Sequence, residues 1–282
     1  TNAELIERIQ GATVIVTKEI PVTAELLSQF PDTVKLIVEA GTGYNNIDLN
    51  AAKAKGITVC NIPAYSTERV AHTVIMMILN FASTMQQQIG MLAKGDRSNF
   101  TKYLQVSHTE VNGKTLGVVG AGHIGMEVIK VAKALGMNIL VHTRTPKADG
   151  DGIRYVSLDE LLENSDYITL HCPLNDQTKH LINKETIGKM KPNAVIVNTG
   201  RGALINEADL CEALAVKRIA GAGLDVQEVE PPVEDSPLYT LDNVIITPHM
   251  GWKGLETRQR LVGIIRDNIQ AFLKGEPINV VS

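Results

Sequence analysis

The sequence predicts an α/β fold of doubly wound parallel sheets in two domains, and three observations predict it. Short Val- and Ile-rich runs alternate with helical patterns along almost the whole chain. Short Val- and Ile-rich runs of this kind, separated by amphipathic helices, are expected of strands covered by helices on both faces, which is the condition of a parallel sheet. At 282 residues, 44% of them hydrophobic, the chain is also long for a single core, so two domains are expected.

The elements follow in order. A helical pattern over residues 3–9 opens the chain without the strand that usually begins such a unit, and that first strand is expected to be absent from this sequence. TVIVT (13–17), KLIVEA (35–40) and ITVCN (57–61) then read as strands. STERVAHTVIMMILNFAS (66–83) reads as a helix with Ser66 or Thr67 as its N-cap. It is too apolar for a solvated surface, so it either bridges two domains or packs against another subunit.

A second series of strands comprises TLGVVG (115–120), NILVHT (138–143), YITLHC (167–172), AVIVNT (194–199), IAGAGLDV (219–226) and NVIITP (243–248). The last helix, 255–274, stops at Gly275 with Pro277 beyond. It would carry the chain back to the first domain.

Composition excludes several classes of function. A formal charge of -4 with scattered Lys and Arg leaves no footprint for nucleic acid. The longest apolar runs fall far short of the roughly 20 residues that cross a bilayer, and no signal-peptide pattern is present. Cys60, Cys172 and Cys211 lack CxxC spacing or a paired His motif. They read as reduced, structural and cytoplasmic, with no metal site.

The strand 115–119 runs into Gly120-Ala121-Gly122-His123-Ile124-Gly125, then a helix to about Leu135, then a second strand from Asn138. A bare GxGxxG says little. In this strand, turn, helix and strand context it is a dinucleotide fingerprint. Gly120 makes the tight turn, Gly122 admits backbone to the pyrophosphate, and Gly125 lets helix and strand pack closely. The amides around His123 and Ile124 face the phosphate at a helix N-terminus.

The second strand of such a unit normally ends in an acidic residue that binds the adenosine ribose and repels a 2'-phosphate. Thr143 stands there, followed by Arg144, Thr145 and, after Pro146, Lys147. With hydroxyls and cations in place of a carboxylate, NADP(H) is favoured over NAD(H), although an arginine there would also serve by stacking on adenine.

Four further motifs follow in order: HCPLNDQTKHLIN (171–183), VIVNTGRGALIN (195–206), GAGLDVQEVEPP (221–232) and ITPHMGW (246–252). Together with GAGHIG, their order and spacing resemble the D-isomer-specific 2-hydroxyacid dehydrogenase family over nearly the whole chain. AGTGYNNID (40–48) and GWKGLETRQRL (251–261) resemble its glycerate dehydrogenase, or hydroxypyruvate reductase, branch.

The resemblance implies hydride transfer between NAD(P)H and a small 2-keto acid or D-2-hydroxy acid, hydroxypyruvate or glyoxylate being the expected substrates. Such chemistry needs a cation for the carboxylate and carbonyl, a proton donor for the developing alkoxide, and a group that keeps the donor protonated. Arg201, just after a strand, offers a planar fork for the first role. His249, at another strand's carboxyl end, is the expected acid for reduction and base for oxidation. His72, His108, His123, His142, His171 and His180 are left without a catalytic role.

The family pattern pairs Glu230 with the histidine, since a carboxylate within hydrogen-bonding reach stabilises imidazolium. By the same resemblance Asp225 faces the nicotinamide carboxamide or serves only as a loop anchor. Thr199 and Gly200 line the nicotinamide side, Cys172, Pro173 and Thr178 flank the adenosine half, and Gly251 is a further cofactor-binding position. Gly41, Thr42 and Gly43 would form an anion-binding nest for the substrate carboxylate, or serve only a turn. Trp252 would wall the substrate pocket or fix a hinge.

The expected arrangement is a discontinuous substrate domain, residues 1–63 and 254–282, and a dinucleotide-binding domain, residues 64–253. Both would be Rossmann-like, with an active-site cleft between them and hinges near 63–66 and 251–254. A homodimer is expected. Two other functions fit the same motifs: phosphoglycerate dehydrogenase activity, and a dinucleotide-sensing, corepressor-like interaction protein.

Overall fold

The computed structural model describes every residue except Glu19 and Pro146. It divides into two compact units, one of Thr1–Ser66 with Lys253–Ser282 and the other of Thr67–Trp252.

The first unit holds a parallel sheet of β1 (Val14–Thr17), β2 (Leu36–Glu39) and β3 (Thr58–Cys60), in that order. Every residue of the central strand β2 is buried, which is why Leu36, Ile37 and Val38 are apolar without alternation; the buried Glu39 ends the strand. Helices Ala24–Ser28 and Leu49–Ala54 begin where Thr23 and Asp48 cap the first-turn amides of Leu26 and Ala51. Leu27, Ile37 and Val59 centre the core.

Helix Leu255–Leu273 packs against β2. Its buried Asn268 donates to the Asn61 carbonyl at 3.0 Å. Beyond it the chain returns to β3, with Val281 N donating to Val59 O at 2.9 Å.

The second unit carries seven strands, all parallel: β4 (Thr115–Val119), β5 (Asn138–His142), β6 (Ile153–Tyr155), β7 (Tyr167–Leu170), β8 (Val195–Asn198), β9 (Gly221–Leu224) and β10 (Val244–Ile246). Their order is β10-β9-β8-β7-β4-β5-β6. The chain winds outward from β4 to one edge, returns to β7 and winds to the other. Ligands of open α/β sheets bind outside the carboxyl ends of the strands at such a reversal. The glycine fingerprint leaves β4 there, and His171-Cys172 leaves β7.

Apolar clusters fill both faces of this sheet. Leu170, Ile196 and Leu224 belong to one, and Val118, Val141 and Val197 to the other. Helix Thr67–Ser83 buries Val70, Val74, Met77 and Ile78 and packs on helix His123–Ala134, β8 and β9. Most of its apolar surplus is therefore used within this unit, as one cover of the sheet. Met76 and Leu79 stay exposed on it, and the segment that follows exposes Ile89, Phe100 and Tyr103.

Strand β6 and helix Met85–Ala93 were not expected from the sequence. No helix among the described residues is long and apolar enough to cross a membrane. Nor do these residues include a cluster of three or more His, Cys, Asp or Glu able to hold a metal ion.

Candidate active site

The glycine turn after β4 is shaped by close approach. Gly120 has a φ of +95, and a Cβ there would lie 2.6 Å from the backbone N of Cys172. A Cβ on Gly125 would lie 2.2 Å from the Gly120 carbonyl oxygen. Side chains at these two positions would push apart β4, its helix and the segment leaving β7.

Gly122 differs, for a Cβ there meets nothing within 4 Å. It is the N-cap of helix His123–Ala134, and no side chain caps the amides of the first turn. A bare backbone before the positive end of a twelve-residue helix fits a pyrophosphate group. Past β5, Thr143 donates its hydroxyl to the Thr145 carbonyl at 2.8 Å and Arg144 is exposed.

After β7, burial drives the His171 imidazole down to about 4, so it is neutral near pH 7. Burial pushes the Cys172 thiol up to about 11, so it remains a thiol at that pH. The turn beyond is closed by Thr178, whose hydroxyl donates to Pro173 O at 2.6 Å and accepts from Asn175 N at 2.9 Å.

The loop after β8 folds around one buried amide. Asn198 accepts from Gly200 N at 3.0 Å and donates to Arg201 O at 2.8 Å. This fixes the backbone of Arg201, whose Nη1 also donates to Gly200 O at 2.9 Å. The neighbouring Thr199 hydroxyl is buried without a hydrogen-bond partner among the described residues. A buried hydroxyl in that state costs about 1–3 kcal/mol, and it suits a polar ligand group.

Glu230 and His249 meet although 19 residues separate them: Nδ1 of His249 lies 2.7 Å from Oε2 of Glu230. The other carboxylate oxygen accepts from Gln227 N at 3.0 Å. Burial opposes the charge on Glu230. The His249 hydrogen bond, the Gln227 amide and the positive charges of His249 and Arg201 outweigh it and hold the carboxyl below the usual Glu range. The pair therefore keeps its carboxylate near neutral pH and loses it only as pH falls through that lowered value.

His249 adopts φ +46, a conformation rare outside glycine and asparagine. Asp225 holds the loop around it. Oδ1 accepts from the Thr247 hydroxyl at 2.5 Å and from Met250 N at 2.8 Å, and Oδ2 accepts from Gly251 N at 2.7 Å. Asp225 is 2% exposed. Trp252, three residues past His249, is half-buried.

In the first unit, the 41–43 loop is pinned through its carbonyls. Ile62 N donates to Gly41 O at 3.0 Å, and Asn61 Nδ2 donates to Thr42 O at 2.8 Å. The Thr42 hydroxyl returns a bond to Ile62 O at 2.9 Å.

Some partners had no sequence signal. His180, left without a role by the sequence reading, meets Glu228 at 2.6 Å across 48 residues. Thr247 lies in the ITPHMGW motif and at a strand end, and neither marks its bond to Asp225. A helix-start pattern at Asn206-Glu207 could have marked Glu207, whose backbone donates to Glu228.

Comparison with known proteins places these motifs in a family. Residues 75–251 match the model described as "D-isomer specific 2-hydroxyacid dehydrogenase, NAD binding domain". A hydroxypyruvate reductase of Blautia hydrogenotrophica is 40% identical over 283 residues, covering 99% of this chain and 88% of the relative. A glycerate dehydrogenase of Methylorubrum extorquens is 39% identical, covering 100% of this chain and 89% of the relative. The NADPH-dependent glyoxylate/hydroxypyruvate reductase of Sinorhizobium meliloti, solved with NADP and malonate, superposes with a TM-score of 0.90 at 31% identity. That alignment covers 100% of this chain and 88% of the solved one.

Proposed function

The chain belongs to the D-isomer-specific 2-hydroxyacid dehydrogenase family, and from that premise we propose that it reduces a small 2-keto acid, hydroxypyruvate or glyoxylate, to the 2-hydroxy acid. The observation that carries this reading is the 2.7 Å contact between Glu230 and His249 beside Arg201. A bound nicotinamide dinucleotide supplies the hydride. The remaining work falls to the chain.

With Nδ1 of His249 directed at Glu230, Nε2 is the atom that delivers a proton to the developing alkoxide and recovers it in the reverse direction. Glu230, 2.7 Å from Nδ1, fixes the orientation of the imidazole ring. Arg201 binds the substrate carboxylate and polarises the carbonyl, tasks suited to its planar fork. On the dinucleotide side, the amides after Gly122 take the pyrophosphate and the Thr199 hydroxyl faces the nicotinamide half. Cys172, Pro173 and Thr178 line the adenosine half. The 41–43 loop offers backbone amides to a carboxylate.

The test is a set of initial rates for hydroxypyruvate, glyoxylate, pyruvate, 3-phosphohydroxypyruvate and longer 2-keto acids, each with NADH and with NADPH. Hydroxypyruvate or glyoxylate should give the highest kcat/KM. Preference for the phosphorylated acid would move the reading to phosphoglycerate dehydrogenase. No turnover with any of them would reject an enzyme of this class.

NADP(H) is the proposed cofactor form, because no carboxylate stands at 143–145 and Arg144 is exposed beside Thr143. Arg144→Ala removes one charge-assisted contact to a 2'-phosphate. Such contacts contribute about 1.5–3 kcal/mol, so NADPH should bind on the order of 10- to 100-fold more weakly while NADH changes little. Equal loss for both dinucleotides, measured by titration, would reject phosphate recognition.

A homodimer and a cytoplasmic setting complete the reading. Met76, Leu79, Ile89 and Phe100 leave apolar surface suited to a second copy. Cys60, Cys172 and Cys211 are free, as suits a reducing compartment. Light scattering of the purified chain measures the first point.

A further inference from the structure

Glu228 stands two residues before Glu230, in a loop that composition alone would leave solvated. Its side chain is 29% exposed and both its oxygens are engaged. Oε1 lies 2.6 Å from Nε2 of His180, and Oε2 accepts from the backbone N of Glu207 at 3.1 Å. The contact with Glu207 is reciprocal, since Glu228 N donates to Oε2 of Glu207, also at 3.1 Å.

This clasp ties together three stretches of chain. Glu207 N belongs to the first residue of helix Glu207–Ala215, where an amide has no partner within the helix and a carboxylate meets the positive end. His180 is held to the stretch after Arg201: its own N donates to Ala203 O at 2.8 Å, and Ile182 N donates to Leu204 O at 3.0 Å. Between them Gly202 lies against the 227–228 peptide so closely that a Cβ there would be 1.9 Å from Gln227 O and 2.4 Å from Glu228 N. The backbone that carries Arg201 and the backbone that leads to Glu230 are thus packed as one body.

From Glu228 the path to the reacting histidine is short. Gln227 N donates to Oε1 of Glu230 at 3.0 Å, and Oε2 of Glu230 meets His249 at 2.7 Å. The direction of the Glu230 carboxylate therefore depends on where the 227–228 peptide is held.

We propose that Glu228, clasped to Glu207 and His180, is a positioning residue that fixes the 227–230 segment and so aims the Glu230 carboxylate at His249. The inference rests on the reading of Glu230 and His249 as the proton-delivering pair. The Glu228 carboxyl itself is held below the ordinary Glu range. Burial opposes that, but the His180 contact, the Glu207 amide and the charges of His180 and Lys179 outweigh it. It thus remains an acceptor for both donors at neutral pH.

The experiment is a double-mutant cycle on the full chain, with kcat, dinucleotide Kd and the solvent deuterium isotope effect read for each variant. Glu228→Ala should lower kcat about 10- to 100-fold, the scale of a small misplacement of a reacting group. It should leave dinucleotide Kd within about twofold, because the glycine turn is untouched, and raise the solvent isotope effect as proton delivery becomes slower. In a Glu230→Gln background the same substitution should add little, because the group through which it acts is already gone.

An unchanged kcat in Glu228→Ala would overturn the proposal, as would the same fold-loss in both backgrounds. Should Glu228→Ala fail to fold by circular dichroism, Glu228→Gln, which keeps the side-chain volume, decides by the same comparison. Near-normal turnover in Glu230→Gln alone would instead remove the underlying pair, and the inference with it. That result is distinct from a failure of Glu228 alone.

Discussion

His249→Gln is expected to lower kcat by roughly two to four orders of magnitude, the contribution of a positioned general acid, while dinucleotide affinity stays near that of the unsubstituted chain. Glutamine approximates the reach of the imidazole and can still donate an amide hydrogen to Glu230. It cannot carry a transferable proton. The substitution thus separates proton delivery from the shape of the loop, which Asp225 holds through Thr247, Met250 and Gly251 rather than through the histidine ring. Single-turnover rates with hydroxypyruvate at saturating dinucleotide make the measurement, because product release does not then mask the chemical step. A variant retaining near-normal rates would mean that the proton comes from elsewhere, and Glu230 would lose its proposed purpose together with His249.

Much of the fold was legible because buried parallel strands announce themselves by composition. β4, β7 and β8 are mostly apolar runs, and nearly all their residues are buried, Thr169 of β7 and Asn198 of β8 included. β6 was not legible. It is three residues long, Ile153–Tyr155, at the sheet edge, with exposed Arg154 at its centre. Helix Met85–Ala93 escaped notice for a related reason: its N-cap Thr84 makes no side-chain capping bond, and none of its residues is buried. Helix 66–83 was found, but its use was not. Apolar content shows that a helix is covered without showing what covers it, and most of its buried face turns out to lie against its own unit.

The candidate site divides along the same line. Glycine turns are local, so the steric tasks of Gly120 and Gly125 could be stated from their spacing between a strand and a helix. The meeting of Glu230 with His249 came from family pattern, since nothing in a loop of Glu and Pro marks one carboxylate for a histidine 19 residues away. Glu207 carried only the pattern of a helix start, and nothing in the motifs around His180 and Glu228 marked those two as partners. Their contacts span 21 and 48 residues and exist only once the strands are laid side by side.

Asp225→Asn is expected to reduce kcat on the order of 100-fold, with a smaller loss of dinucleotide affinity and a loss of stability. Three donors converge on the carboxylate: a hydroxyl and a backbone amide at Oδ1, and a second backbone amide at Oδ2. Asparagine offers one oxygen in place of two. Whichever way its amide is turned, an NH2 group faces at least one backbone N–H, and the Thr247 hydroxyl can rotate to accept but an amide cannot. One buried donor left unpaired costs about 1–3 kcal/mol.

The strain at His249 sets the direction of the response. A non-glycine residue in the left-handed region costs on the order of 1–3 kcal/mol and persists only where its neighbours hold it. Here the neighbours are Thr247 and Met250, both bonded to the same carboxylate oxygen. Weakening that anchor lets His249 relax toward negative φ and draws its ring away from Glu230. If Asp225 instead acts chiefly on the nicotinamide carboxamide, dinucleotide Kd should rise at least as much as kcat falls, and the thermal midpoint should stay in place. Isothermal titration, a thermal melt and initial rates on one preparation decide between the two.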